Sequence, residues 1–155
     1  IDEVDAVDLT IDGADEIDAN YQGVKGGGGA LLFEKIVADY SKKVIWIVDG
    51  SKIVDTLGSF PLPVEVLPYG SQQLVRIFEE KGFHPAIRKN DDGENYLTDG
   101  NHYIIDLHMT KIEDPQSLAE WLDGLTGVME HGLFLNRVNT IIVGHEAGLD
   151  IIEAR

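Results

Sequence analysis

An unbroken run of five apolar residues, 44–48 (VIWIV), most constrains the fold of this chain. A continuous apolar run is typical of a parallel strand that is buried on both faces of its sheet. Residues 30–43, which precede the run, begin with apolar side chains at helical spacing and predict a helix that continues to about Lys43. An earlier segment, residues 6–11, has apolar residues at alternate positions and predicts another strand. The three segments together predict a β-α-β unit and therefore an α/β sheet.

The second half of the chain changes character at the prolines Pro61 and Pro63, which mark a boundary. Five elements are predicted directly beyond them, ahead of two later strands at 128–134 and 140–144. They are a strand at 64–66, a helix capped by Ser71 and stopped at Lys81-Gly82, strands at 85–88 and 102–107, and a helix from an Asp114 cap and Pro115 to about Asp123. A strand at 128–134 completes the order β-α-β-β-α-β, which is typical of ferredoxin-like units.

The final strand, 140–144, is apolar enough to return to the first sheet. We therefore predict an α/β fold in which part of a Rossmann-like parallel sheet domain, residues 1–62 and 138–155, carries an inserted ferredoxin-like βαββαβ α+β domain at 63–137. The chain starts at Ile1, without methionine and close to a strand, so we expect a further segment before it.

Composition excludes several classes of partner. The net charge of −16, from 12 basic and 28 acidic residues, argues against nucleic acid and against anionic membrane surfaces, because both bind basic patches. The absence of cysteine excludes disulfide scaffolds and thiol nucleophiles. No apolar stretch approaches the roughly 20 residues of a membrane span. We expect a cytoplasmic protein with no nucleic-acid or membrane partner.

Three cofactor motifs can be tested directly against the sequence. A calcium loop starting at Asp8 would need a glutamate at its twelfth position, where Ala19 stands. The glycine run at 26–29 fits neither G-x-G-x-x-G nor G-x-x-x-x-G-K-[ST], the dinucleotide and nucleotide signatures. The five histidines show no H-E-x-x-H pairing. We predict no metal, and dinucleotide and Walker-type nucleotide binding lose their best signatures.

Carboxylates, lysines and glycines cluster in the loops that follow the predicted strands. Singly, each has a structural explanation as an acidic turn, a solvated lysine or a flexible connector, and together they favour a site, because ligands bind at the carboxyl ends of parallel strands. Glu34 is the most informative member, since apolar residues surround it in sequence and partial burial would make its carboxylate a better base. The candidate residues are Asp12, Asp15, Lys25, Gly26, Gly27, Gly28, Glu34 and Lys52.

The ordered motifs also resemble one enzyme family over essentially the whole chain. They are D-G-A-D-E at 12–16, K-G-G-G at 25–28, E-K at 34–35, D-x-S-K at 49–52, F-P-L-P-V-E-V at 60–66 and G-L-F-x-N-R at 132–137. In this order and spacing they resemble ribose-5-phosphate isomerase of type A. The family's amino-terminal G-T-G-S-T-like phosphate loop has no counterpart here, so the resemblance covers roughly the carboxyl-terminal two thirds of such an enzyme.

The resemblance implies interconversion of D-ribose 5-phosphate and D-ribulose 5-phosphate through an enediolate, in the pentose phosphate pathway and without metal or cofactor. Glu34 matches the catalytic base, Asp12 the carboxylate linked to ring opening, and Asp15 its neighbour on the sugar hydroxyls. Lys25 would stabilise developing negative charge, and Lys52 would help to hold the substrate. The substrate-binding positions also include Gly13, Ala14, Gly26, Gly27 and Gly28, and the family's members are homodimers or homotetramers.

Three other kinds of protein stay open at this point. A sugar-phosphate-sensing domain would bind the ligand without turnover and would not need Glu34. A related sugar-phosphate isomerase or deaminase, or an inactive structural fragment, would also fit such a sheet.

Overall fold

Eleven strands and three α-helices follow one another along the chain, and the computed structural model describes all residues from 1 to 155. In chain order they are β1 (Thr10–Asp12), β2 (Glu16–Ile17), β3 (Gly23–Val24), α1 (Leu31–Asp39), β4 (Val44–Asp49), β5 (Leu62–Val66), α2 (Ser71–Glu80), β6 (Pro85–Ile87), β7 (Tyr103–Leu107), α3 (Pro115–Asp123), β8 (Val128–His131), β9 (Leu133–Phe134), β10 (Thr140–His145) and β11 (Gly148–Glu153). None of the helices has the length and apolar character needed to cross a membrane.

The first sheet has the order β1-β4-β10-β11. Strands β1 and β4 are parallel, with Ile11 opposite Ile45, and β10 is parallel to β4, with Ile142 opposite Ile47. This arrangement confirms the β-α-β unit and the return of the apolar strand at 140–144 to the first sheet. Strand β11, which sequence reasoning missed, adds an antiparallel edge.

The second sheet has the order β6-β7-β5-β8, with antiparallel neighbours throughout. Its elements follow one another as β5, α2, β6, β7, α3 and β8, which is the ferredoxin-like order expected from the sequence. The α/β fold with an α+β insertion is therefore confirmed, while the boundaries at 63 and 137 stay a prediction. Asp114 caps α3 as predicted, because its carboxylate accepts a hydrogen bond of 3.0 Å from the Ser117 N–H.

A small third sheet, β2-β3-β9, joins the two larger ones and was not expected. The predicted single strand at 128–134 is wrong, because it breaks at Gly132 into β8 and β9. Gly132 donates its N–H to the Pro63 carbonyl and accepts from the Lys25 N–H, each at 2.8 Å. A Cβ there would lie 2.2 Å from the Lys25 carbonyl oxygen, so only glycine lets the chain cross at this point.

Two apolar cores support these sheets. One lies between the second sheet and its helices and contains Phe78, Leu107 and Leu122. The other lies under the first sheet and contains Trp46 and Ile141. The loops at the carboxyl ends of β1 and β4 therefore extend from a rigid base.

Three predicted boundaries are wrong. Helix α1 ends at Asp39 instead of residue 43, since Lys42 N–H already donates to the Val7 carbonyl at 2.8 Å. The strand predicted at 6–11 begins only at Thr10, because Val7 forms no more than an isolated bridge with Ser41. Helix α2 is capped by Gly70, whose φ of 85° is left-handed, so Ser71 is the first helical residue and not the cap.

Candidate active site

All ten residues singled out from the sequence line one cleft of about 230 Å³ at the carboxyl ends of β1 and β4. Those ten residues are Asp12, Gly13, Ala14, Asp15, Lys25, Gly26, Gly27, Gly28, Glu34 and Lys52. Three different elements contribute, because Asp12 ends β1, Glu34 lies in the first turn of α1, and Lys52 follows β4. The cleft is therefore built where an α/β sheet ordinarily binds its ligands.

Lys25 is the centre of the charged groups in the cleft. Its side chain is buried, with 4% of its surface exposed, and its Nζ lies 3.0 Å from Asp12 Oδ2 and 3.7 Å from Glu34 Oε2. The same Nζ donates to the Gly13 carbonyl and stands 5.3 Å from the centroid of the Phe134 ring. Such an ammonium is held in one position and can stabilise negative charge that develops beside it.

The acidic turn and the glycine loop are bonded to each other. Asp12 Oδ1 accepts from the Gly13 N–H, and Asp15 Oδ2 accepts from the Gly27 N–H, both at 2.8 Å. A Cβ at Gly27 would lie 2.8 Å from Asp15 Oδ1, so a larger residue there would displace this carboxylate. The carboxylate of Asp15 thus fixes the glycine loop at the edge of the cleft.

Gly28 supplies a backbone donor that the protein itself does not use. Gly26 has φ of 107° and Gly29 φ of 86°, and the Gly29 N–H donates to the Gly26 carbonyl at 3.0 Å, so the loop turns tightly between them. The Gly28 N–H makes no hydrogen bond within the protein, and Gly28 lines the cleft. It is therefore available to an oxygen atom of a bound ligand.

Glu34 has the properties of a general base. Burial, the largest effect, raises the pKa of its carboxyl above 4.5, and the nearby charges of Asp12 and Asp15 raise this pKa further. The ammonium of Lys25 acts in the opposite direction and lowers the pKa. Desolvation raises the proton affinity of a carboxylate, so Glu34 is a stronger proton acceptor than a carboxylate in water.

We expect the Glu34 carboxyl to titrate above its ordinary value of 4.5, and to titrate still higher in Lys25→Met, because the ammonium that favours the carboxylate is removed. Carbon-13 NMR of the glutamate carboxyls between pH 3 and 8, about the range in which shifted glutamates titrate, measures both values. Lys111→Met, which removes an exposed lysine paired with Glu113, is the control and leaves the Glu34 pKa unchanged. A Glu34 pKa at or below 4.5 in the parent chain would contradict the assignment.

Glu16, the last residue of the acidic motif, has a structural role that its sequence context did not reveal. It is buried, and its two carboxylate oxygens accept from the N–H groups of Gly58 and Phe60 at 2.8 and 2.7 Å. It therefore ties the acidic turn to the loop before β5, outside the cleft. The contact spans more than 40 residues, so no local pattern could have indicated it.

Asp123, Glu130 and His131 bring three possible metal-ligand atoms within 4.8 Å of one another. His131 Nδ1 accepts from the Leu133 N–H at 3.1 Å, so the neutral ring carries its proton on Nε2, 3.0 Å from Asp123 Oδ1. Burial lowers the pKa of His131 to about 4, which keeps the ring neutral. The nitrogen facing the carboxylates is thus a hydrogen-bond donor, and this arrangement favours a hydrogen-bonded network over a metal centre.

Comparison with known proteins identifies relatives over nearly the whole chain. Residues 1–148 match the family model described as ribose 5-phosphate isomerase A (phosphoriboisomerase A). The chain is 70% identical over 148 residues to ribose-5-phosphate isomerase A of Enterococcus faecalis, covering 96% of this chain and 66% of that protein. It is 57% identical over 155 residues to the Levilactobacillus brevis protein of the same name, covering 100% and 68%.

The solved structures that are similar to this chain are also ribose-5-phosphate isomerases. A D-ribose-5-phosphate isomerase in complex with phospho-erythronic acid superposes with a TM-score of 0.94 at 34% identity, over 99% of this chain and 68% of that one. Ribose 5-phosphate isomerase A from Methanocaldococcus jannaschii superposes with a TM-score of 0.91 at 36% identity, over the same shares. The chain therefore spans about two thirds of the length of the relatives that it matches.

Proposed function

The chain belongs to the ribose 5-phosphate isomerase A family, and from this membership we propose that it interconverts D-ribose 5-phosphate and D-ribulose 5-phosphate. The observation that carries the proposal is the pairing of Glu34, a carboxyl with a raised pKa, with the buried ammonium of Lys25. A domain that only binds a sugar phosphate would have no use for a base activated in this way.

In the proposed reaction Glu34 removes the proton from C2 of the open-chain aldose, and the electrons of that bond form a C1–C2 double bond. The aldehyde oxygen becomes the enediolate oxygen, whose negative charge is stabilised by Lys25 and by the unused Gly28 N–H. Glu34 then returns its proton to C1 while the O2 hydroxyl proton passes to O1, which gives the ketose. The net change is the transfer of two protons, so the step needs no redox cofactor.

The two aspartates have the remaining roles. Family membership assigns Asp12 to opening of the furanose ring, and its carboxylate lies in the cleft, 3.0 Å from Lys25 Nζ. Asp15 lies beside the sugar hydroxyls and holds the glycine loop through the Gly27 N–H. Phospho-erythronic acid, found with a structural relative, carries a carboxylate where the enediolate would be, and we propose that it binds in this cleft. We further propose a cytoplasmic homodimer or homotetramer.

The test is proton NMR of ribose 5-phosphate in deuterated water with the chain. We expect deuterium to enter at C2 and ribulose 5-phosphate to form. Titration with phospho-erythronic acid should slow both processes together, because it would occupy the same cleft. Binding of ribose 5-phosphate without any exchange at C2 would contradict catalysis by this chain and support the sensing alternative.

Lys52 should contribute to substrate binding more than to the chemical step. It lines the cleft, is half-buried and forms no hydrogen bond or ion pair within the protein, so its ammonium is free for an anionic or hydroxyl oxygen. Loss of one charge-assisted contact in Lys52→Met should raise KM about tenfold and change kcat by less than about threefold. Lys43→Met, an exposed lysine before β4 at the opposite edge of the sheet, is the matched control. A kcat loss at unchanged KM would assign Lys52 to the reaction itself.

A further inference from the structure

The glycine loop is held from outside the cleft by an arginine of the second sheet. Arg88, the residue after β6, places Nη1 3.1 Å from the carbonyl oxygens of both Gly26 and Gly27. We propose that Arg88 is a positioning residue, which sets the orientation of the Gly28 N–H toward the reacting oxygen. This role rests on the isomerase function proposed above.

Asp106 on β7 fixes the Arg88 guanidinium. The contact is a fork, with Nε 2.9 Å from Oδ2 and Nη2 2.7 Å from Oδ1, and both side chains are largely buried. The Arg88 backbone is also bonded, since its N–H donates to the Ile104 carbonyl at 2.8 Å. The two-point contact leaves Nη1 as the group that faces the loop. The Asp106 carboxylate also neutralises the charge of Arg88, so Arg88 acts on the loop through its hydrogen bonds more than through its positive charge.

Peptide geometry carries the effect across the loop. In a planar trans peptide the C=O and the following N–H point in opposite directions. Holding the Gly26 carbonyl toward Arg88 therefore turns the Gly27 N–H away, and this N–H reaches Asp15 Oδ2 at 2.8 Å. Arg88 holds the Gly27 carbonyl in the same way. The Gly28 N–H therefore points away from Arg88 and toward the cleft, which Gly28 lines.

The loop needs such support because glycines do not hold one conformation by themselves. Tyr96 adds a second restraint, since its hydroxyl donates to the Gly28 carbonyl at 3.4 Å and its ring centroid lies 5.8 Å from Arg88 Cζ. A donor to an oxyanion contributes about 10²- to 10³-fold to kcat only when it is oriented before the reaction. Arg88 thus links the inserted sheet to the chemistry of the cleft.

The test compares Arg88→Met, which keeps much of the apolar stem, with Arg76→Met on the exposed face of α2, where the arginine contacts only Gln73 at 3.4 Å. Amide hydrogen exchange of Gly27 and Gly29 reports loop order in the free protein. We expect exchange to become about tenfold faster in Arg88→Met and to stay unchanged in Arg76→Met. With ribose 5-phosphate, kcat should fall about 10- to 100-fold while KM changes less than about threefold.

A conservative variant separates positioning from folding. Arg88→Lys keeps the positive charge, but a lysine ammonium cannot form a two-point contact with Asp106 and at the same time bond the carbonyls of Gly26 and Gly27. We therefore expect the same loss of kcat as in Arg88→Met, with a melting temperature near that of the parent. Unchanged Gly27 and Gly29 exchange, or an unchanged kcat with a loosened loop, would overturn the proposal. If the parent chain did not isomerise the sugar, the proposed function would fail, and amide exchange alone would decide whether Arg88 orders the loop.

Discussion

Glu34→Gln should stop proton transfer at C2 of ribose 5-phosphate while the chain still binds the sugar. Glutamine keeps the size of glutamate and can contact Lys25, which lies 3.7 Å from Glu34 Oε2, but its amide cannot accept the C2 proton. Because a general base contributes about 10²- to 10⁴-fold, deuterium entry at C2 should fall by at least that factor. Calorimetric titration should give a dissociation constant within about threefold of the parent value, since ground-state binding is little changed.

Glu79→Gln is the control for this substitution. Glu79 is exposed on α2, far along the chain from the cleft, and the change removes the same charge. It should leave both exchange and binding at parental values. If Glu34→Gln exchanged deuterium at a near-parental rate, the base would be another group, and the proposed mechanism would be wrong. If Glu34→Gln lost binding as well, the main role of Glu34 would be to bind the substrate.

The sequence was sufficient to locate the cleft because its residues follow strands that a simple pattern identifies. The apolar run at 44–48 and the segment ending at Asp12 predict adjacent parallel strands, and parallel strands end at the same edge. Asp12, Asp15 and Lys52 therefore had to lie near one another, and they do. The glycine loop and Glu34 were expected at the same edge, because α1 starts directly after the loop.

The apolar neighbours of Glu34 in sequence explain its burial only in part. Its apolar sequence neighbours Phe33 and Ile36 are 47% and 37% exposed, so they do not bury it. Leu31, three residues earlier, is buried on the inner face of α1. Burial in the cleft is the largest cause of the raised pKa of Glu34, and the charges of Asp12 and Asp15 add to it; sequence adjacency could not show either effect.

Contacts between distant segments were outside the reach of sequence reasoning. Strands β2, β3 and β9 are two residues long, which is too short to show any periodicity. The contact of Arg88 with the glycine loop joins residues about 60 positions apart through a sheet of the inserted unit. Such contacts depend on how two sheets dock, and this docking follows from tertiary packing, not from local pattern.

The residue after the proposed base anchors α1 to the second sheet, and its loss should strongly destabilise the fold. Lys35 is buried, and its Nζ lies 2.6 Å from both Glu130 Oε1 and the His131 carbonyl oxygen on β8. Burial lowers the Lys35 pKa, while the Glu130 carboxylate acts in the opposite direction. Removing one partner of a buried pair leaves the other desolvated, so Lys35→Met should lower the free energy of unfolding by about 3 kcal/mol.

Urea denaturation followed by circular dichroism measures this loss, with Lys42→Met as the matched control. Lys42 pairs with Asp8 at 2.7 Å, but both side chains are exposed, so its loss should cost less than about 1 kcal/mol. Lys35→Met should also raise the pKa of His131 from about 4, because the nearby ammonium contributes to its lowering. Equal stability losses in the two variants, or an unmoved His131 titration, would show that the Lys35 charge is not what holds α1 against β8.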